Sequence, residues 1–177
     1  MEIVPATPER WDDLADLFTR RGPRGGLQMT AGCWCMWWRR RAGDGSRNRA
    51  ALRRLVRGGR EPGLLAYEGG QAIGWVAVAP REEYGQLVRS RVYRPTEPDD
   101  GFWAVTCFAV APGSKRQGVA GDLLDAAVRH AFARGAPAVE AYPHVRGDYM
   151  GVPSMFDRLG FEAVRRAGPR TIVRLSS

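Results

Sequence analysis

The order in which the apolar period changes along this 177-residue chain predicts an α+β fold, a central sheet with helices packed against it. Three observations carry that prediction. Helical patterns come first; two apolar runs between 63 and 79 then read as a β-hairpin. A nearly continuous apolar run, Phe102–Val110, leads into a long helical pattern and further short strands. Such a run marks a strand buried on both faces, and strand–helix–strand marks a crossover in the middle of the sheet.

Thr7-Pro8 reads as an N-cap with proline at the first helical position, opening a helix through about Arg20. Leu14, Leu17 and Phe18 form its apolar stripe, with Trp11 a turn earlier. Arg21 to Gly32 is rich in glycine and proline and reads as a loop. Ser46 is placed to cap a second helix, which runs to about Arg57 and ends at Gly58-Gly59. Residues 63–67 and 72–79 flank Glu68-Gly69-Gly70-Gln71, read as a four-residue hairpin loop. Residues 81–100 read as a loop with one short helix. Apolar positions at 120, 123, 124, 127, 128, 131 and 132 define a helix over Val119–Arg134, closed by Gly135. Residues 138–142 form a strand stopped by Pro143, and Ser154–Leu159 a short helix ended by Gly160. Phe161–Val164 and Thr171–Leu175 close as terminal strands. No internal repeat or linker interrupts the series, so residues 1–177 read as a single domain.

Composition narrows the classes further. The chain is 44% hydrophobic and 26% charged, which excludes disorder, and no apolar run reaches the length of a membrane span. The N-terminus lacks a basic-then-apolar export signal, so a soluble cytoplasmic protein without membrane partners is expected. Cys33, Cys35 and Cys107 make no disulfide framework, and with two histidines no metal site is expected. The net charge is +8, and 26 of the 27 basic residues are arginine. The arginine excess itself matches GC-rich coding. Its placement is local: Arg39–Arg60 holds nine Arg and one acid, Asp44, so the remaining residues balance.

The most informative segment joins the central strand to the long helix: Phe108-Ala109-Val110-Ala111-Pro112-Gly113-Ser114-Lys115-Arg116-Gln117-Gly118-Val119-Ala120-Gly121. A loop ending on a helix N-terminus offers unpaired N–H groups and positive potential to a phosphate. Neither a Walker loop nor a Rossmann glycine motif is present, which removes the main support for ATP or NAD. A strand, Val-x-Pro, basic-x-x-Gly-x-Ala and a Leu-Leu helix resemble the acetyl-CoA-binding motif of the GNAT family of N-acyltransferases. Gly160-Phe161 after a short helix resembles that family's C-terminal signature, and the resemblance spans roughly residues 63–175.

The resemblance implies a mixed, mostly antiparallel sheet with splayed middle strands and flanking helices. It implies acetyl-CoA as acyl donor, with no metal. Phe108, Ala109 and Val110 would then line the pantetheine arm, bonded like an added strand. Backbone N–H groups of Arg116, Gln117, Gly118, Val119, Ala120 and Gly121 would hold the diphosphate beside Lys115, the only lysine in the chain. Two positions depart from the family. Ala104 stands where many members carry a catalytic glutamate, and Phe156, assigned here to the cofactor site, stands where many carry a tyrosine. Replacements are sought nearby: Glu140 or His144 as base, Tyr149 or Ser154 as thiolate proton donor. Each of these has a plain structural alternative, as surface, loop or anchor residue. Cys107, in a buried strand, reads as inert packing, which favours direct transfer. His130 reads as exposed structure.

In this fold the first helices wall the acceptor pocket, which assigns Trp34, Met36, Trp37, Trp38 and Trp75 to it, with Trp103 a further candidate. The aromatic residues suit a flat, apolar or cationic amine; a small satellite core is the alternative for any one of them. The acceptor is expected to be a small-molecule or peptide amine, with monomer and homodimer both open. The Arg39–Arg60 patch supports an alternative, an aminoacyl-tRNA or other nucleic-acid-linked acceptor. A third reading is a non-catalytic acyl-CoA-binding protein, because both usual acid–base positions are apolar.

Overall fold

A computed structural model describes residues 1–21, 32–40, 43–95 and 98–177. The loop expected over Arg21–Gly32 lies almost wholly outside the described residues, as does Arg41. The strands are β1 (Glu2–Pro5), β2 (Gly63–Glu68), β3 (Gln71–Pro80), β4 (Trp103–Val110), β5 (Ala138–Ala141), β6 (Glu162–Ala167) and β7 (Arg170–Ser176). They form one seven-stranded sheet in the order β1-β2-β3-β4-β5-β7-β6. Only β4 and β5 pair in parallel; the crossover between them is α4 (Val119–Ala133). The remaining helices are α1 (Trp11–Thr19), α2 (Gly45–Arg57), α3 (Gly85–Arg89) and α5 (Pro153–Asp157). None of the described helices is long and apolar enough to cross a membrane.

The α+β expectation holds, with local revisions. β1 was not foreseen: four residues with a proline make a weak strand signal, and pairing with β2 through Ile3–Ala66 and Val4–Leu65 supplies the missing support. The first helix begins at Trp11, because the Thr7 hydroxyl accepts from Arg10 at 2.9 Å instead of capping, and a short 3₁₀ turn intervenes. Asp44 rather than Ser46 caps α2, its carboxylate accepting Arg47 N–H at 2.9 Å. An ionised acceptor suits the positive end of the helix better than a hydroxyl. The hairpin is tighter than expected: Glu68 pairs with Gln71 across Gly69-Gly70, both at positive φ, as a two-residue turn requires.

Two features of this packing position the site. At Gly74 on β3 an added Cβ would lie 2.9 Å from side-chain carbons of both Leu123 and Val119, so glycine lets the start of α4 press onto the sheet. On β4, Thr106 is an extra residue between the pairs Ala77–Cys107 and Val78–Val105, a bulge that bends the strand. Pairing with β5 stops just before it, at Val105–Ala141. The second half of β4 therefore leaves β5, and the two strands fork as the resemblance implied.

Candidate active site

The fork runs into a cleft of about 390 Å³ whose walls include Val110 of β4, Ser114 to Arg116, Gly118 to Gly121, Ser154 and Met155 of α5, and Arg158 just after it. Its shape follows from the local backbone. Pro112 starts a 3₁₀ turn, Arg116 and Gly118 lie at φ +66° and +85°, and Val119 opens α4. Left-handed residues just before a helix turn successive N–H groups towards one concavity, at its positive end. A Cβ added at Gly118 or Gly121 would meet nothing within 4 Å, so the space beyond them is open. With Lys115, Arg116 and Arg158 alongside, the donors present fit a diphosphate. The Gln117 side chain is engaged within the loop, its amide donating to the Gly113 carbonyl at 3.1 Å, which leaves the backbone N–H as the group it could offer. Arg158 is absent from the sequence-based candidates; its signal was the spacing, one helical turn beyond Ser154.

At the fork itself, Phe108 N–H donates to the Tyr149 carbonyl at 2.5 Å. The chain thus occupies one bonding position expected for a pantetheine arm. Phe108 and Ala109 are buried, whereas Val110 is half-buried and reaches the cleft. Phe156 does not line the cleft. It is fully buried, with its ring against Phe108 and Phe161, and so fastens α5 to β4. Ser154 is exposed on the wall of the phosphate cleft, which aligns it with the cofactor more than with the reacting end.

Tyr149, His144 and Arg170 gather around the fork. The Arg170 guanidinium lies 5.8 Å from the centre of the Tyr149 ring and pairs with Asp148 at 2.5 Å. His144 bridges to Arg170 through the main chain, and its Nδ1 accepts Arg146 N–H at 3.0 Å. Burial pushes the Tyr149 phenol above its ordinary pKa, with Arg170 opposing, although the residue is 44% exposed. A phenol that stays protonated beside the fork has a proton it could give.

Glu140 takes a different part from the one expected. It is buried between Arg174 at 3.0 Å and Arg81 at 3.3 Å, and accepts from the Tyr142 hydroxyl at 3.1 Å. Arg81 continues the network to Asp99 at 2.8 Å. A carboxylate gripped by two guanidiniums holds β5 to its neighbours and is not available as a base. Glu140→Gln is expected to cost about 1–3 kcal/mol of stability through the unpaired arginines, read as a lower Tm. Turnover per folded molecule should hold; a turnover loss without destabilisation would restore the catalytic assignment.

The expected aromatic pocket divides. Trp34, Met36 and Trp75 are core residues, exposed by 4% or less. Trp34 sits between Trp11 and Phe18, and Trp75 meets Phe18 edge-on. These three belong to the main core with Leu14, Leu65 and Val76, neither to a pocket wall nor to a small satellite core. Trp37, 48% exposed, and Trp38 instead line an open groove of about 280 Å³ with Gln86, Arg89 and Ser90. Trp103 packs edge-on against His130, which is half-buried rather than exposed; burial lowers the imidazole's pKa.

The arginine patch also divides. Arg39 is internal, paired with Glu83 at 2.6 Å and stacked on Tyr84, and Arg60 shares Glu83. On α2, Arg49, Arg53, Arg54 and Arg57 border a shallow groove of about 560 Å³. Among the described residues no carboxylate pairs with these four. Arg49 and Arg53 lie over the Trp11 ring at 5.8 Å, so their stems cover the buried tryptophans. Among the described residues no three His, Cys, Asp or Glu side chains gather as a metal site.

This architecture has counterparts among solved structures. The chain matches the Acetyltransferase (GNAT) family over residues 27–161. Its fold is similar to that of a ribosomal-protein-alanine N-acetyltransferase from Brucella melitensis, at 17% identity and TM-score 0.59 over 100% of this chain and 99% of that one. An N-acetyltransferase from Staphylococcus aureus Mu50 is 13% identical, with TM-score 0.60 over 99% and 97%. PaiA N-acetyltransferase from Thermoplasma acidophilum, in complex with coenzyme A, is 12% identical, with TM-score 0.54 over 99% and 98%. No curated protein matches the chain. The structural likenesses show the fold, and the family match spans most of the sequence: the chain belongs to the GNAT acetyltransferase family.

Proposed function

We propose that the protein moves an acetyl group from acetyl-CoA directly to the nitrogen of a small-molecule or peptide amine. The observation that carries this reading is the fork beyond Val105–Ala141, whose longer arm ends at Val110 in the basic cleft. Phosphates held at the start of α4 direct the pantetheine arm along β4, where it takes over the Phe108 N–H from the Tyr149 carbonyl. The amine lone pair attacks the thioester carbon, the C–S bond breaks, and the departing sulfur takes the Tyr149 hydroxyl proton. The proton lost by nitrogen leaves to His144 or water, and solvent reprotonates Tyr149. Because Ala104 is apolar and buried, β4 supplies no carboxylate base there. Holding amine and thioester together then contributes much of the rate. Trp37 and Trp38 offer a face for the acceptor.

Incubation with acetyl-CoA and a panel of amines, amino acids and peptides, following free thiol, tests the reading. Thiol release with at least one acceptor is expected. Tight acetyl-CoA binding with no thiol release from any acceptor would replace this function with that of a non-catalytic acyl-CoA binder.

A second reading keeps the transfer and changes what carries the acceptor, to a nucleic acid such as aminoacyl-tRNA. The four uncompensated arginines of α2 favour it. Binding of tRNA should then weaken with salt at a log–log slope of about −3, and Arg54→Ala with Arg57→Ala should reduce that slope by about 2. A slope near zero would remove nucleic acid from consideration.

A further inference from the structure

The three thiols take no part in the chemistry above, yet two of them touch. Cys35 Sγ and Cys107 Sγ stand 3.2 Å apart, from positions 72 residues apart in the chain. Cys107 follows the bulge residue Thr106 on β4 and precedes Phe108, so the contact lies where β4 departs from β5. Cys35 arrives there on a strained turn: Trp34 and Cys35 have φ of +50° and +51°, conformations that residues with a Cβ rarely adopt. Trp34 and Met36, buried on either side, hold that turn in place. The Trp75 indole N–H donates to Cys35 Sγ at 3.1 Å, which stabilises negative charge as it develops on that sulfur. Cys35 is buried, whereas Cys107 and Cys33 are half-buried.

The geometry points to Cys35 and Cys107 as a redox-active pair that closes to a disulfide, tying segment 32–40 to β4 at the fork. The oxidant is a peroxide, and Cys107, the more accessible sulfur, reacts first. It attacks the O–O bond of hydrogen peroxide and becomes a sulfenic acid, with release of one water. The Cys35 sulfur then attacks the sulfenic sulfur. The S–S bond forms, the S–O bond breaks, and the oxygen leaves as water with the Cys35 proton. Two thiols are oxidised by two electrons and one peroxide is reduced. A small dithiol reverses the change by exchange. The hydrogen bond with Cys107 and burial hold the Cys35 thiol well above its ordinary pKa, so it stays a thiol at neutral pH and does not initiate; contact with the Cys107 sulfur is what lets it react second. Closure needs the sulfurs to move together by roughly 1 Å, to a bond of about 2.05 Å.

The test treats the full chain with hydrogen peroxide, blocks remaining thiols, and maps linked peptides by mass. Two thiols should disappear together into one Cys35–Cys107 peptide, and dithiothreitol should restore both. The oxidised form should melt roughly 5–15 °C higher, because the cross-link closes a long loop. Cys33→Ser should leave the link intact and Cys107→Ser should abolish it; mapping of the unaltered chain decides the matter if either variant fails to fold. Sulfinic or sulfonic acid at Cys107 without a link, a link through Cys33, or no thiol loss would each overturn the proposal.

Discussion

Gly118→Glu is expected to weaken acetyl-CoA binding by about 10²–10³-fold while the protein still folds. Two effects add. Gly118 lies at φ +85°, where a residue with a Cβ is disfavoured by roughly 1–2 kcal/mol. A carboxylate there also faces the bound diphosphate; at about 5 Å and an effective dielectric of about 20, each pair of unit charges repels by roughly 3 kcal/mol. An added Cβ meets nothing within 4 Å, so no clash propagates into the core. A negative charge at a helix N-terminus contributes about 0.3–1 kcal/mol in favour of the helix, offsetting part of the strain. Calorimetric titration with CoA measures the loss. Gly118→Ala carries the strain without the charge; because φ is already +85° in this structure, it should lower stability by about 1–2 kcal/mol and affinity by less than about tenfold. Unchanged affinity in the glutamate variant would place the phosphates elsewhere.

The difference between these two substitutions reflects how the site is encoded. The phosphate loop was legible because its chemistry is local: Lys115 to Gly121 are consecutive, and backbone N–H groups at a helix start require only the right turn and its glycine. The sheet was legible for a similar reason, since the run through Phe102–Val110 and the period of α4 are local patterns. The catalytic assignments depend on register and packing, which are not local. Glu140 looked like an available carboxylate until strand pairing set it against Arg174 and a buried arginine, Arg81, from 59 positions earlier in the chain. Trp34 and Trp75 looked like pocket walls because large aromatics serve core and pocket alike. Tyr149 was a candidate by proximity to the vacant tyrosine position, but nothing in the sequence signalled its carbonyl on Phe108. The Cys35–Cys107 contact was equally hidden, because no spacing rule joins residues so far apart.

Tyr149→Phe is expected to lower kcat by about 10²-fold, within the usual worth of a positioned proton donor, and to leave the KM for acetyl-CoA unchanged. Phenylalanine keeps the backbone carbonyl that meets Phe108 N–H and a ring for the Arg170 guanidinium, so the fork is retained. What is lost is the hydroxyl proton. The pH profile gives the sign. Burial raises the phenol's pKa above its ordinary value of 10, so the competent, protonated form persists through the neutral and mildly alkaline range. The rate should climb with pH as the acceptor amine loses its proton, and fall only above pH 10 as Tyr149 ionises. In Tyr149→Phe that alkaline fall should vanish along with the lost rate. Acyl donors with a more acidic leaving thiol need less protonation, so the defect should shrink with them; a residue that merely shaped the fork would show the same defect with every donor. An unaltered kcat, or an alkaline limb that survives the substitution, would show that the thiolate takes its proton from water and that Tyr149 serves the fork through its backbone alone.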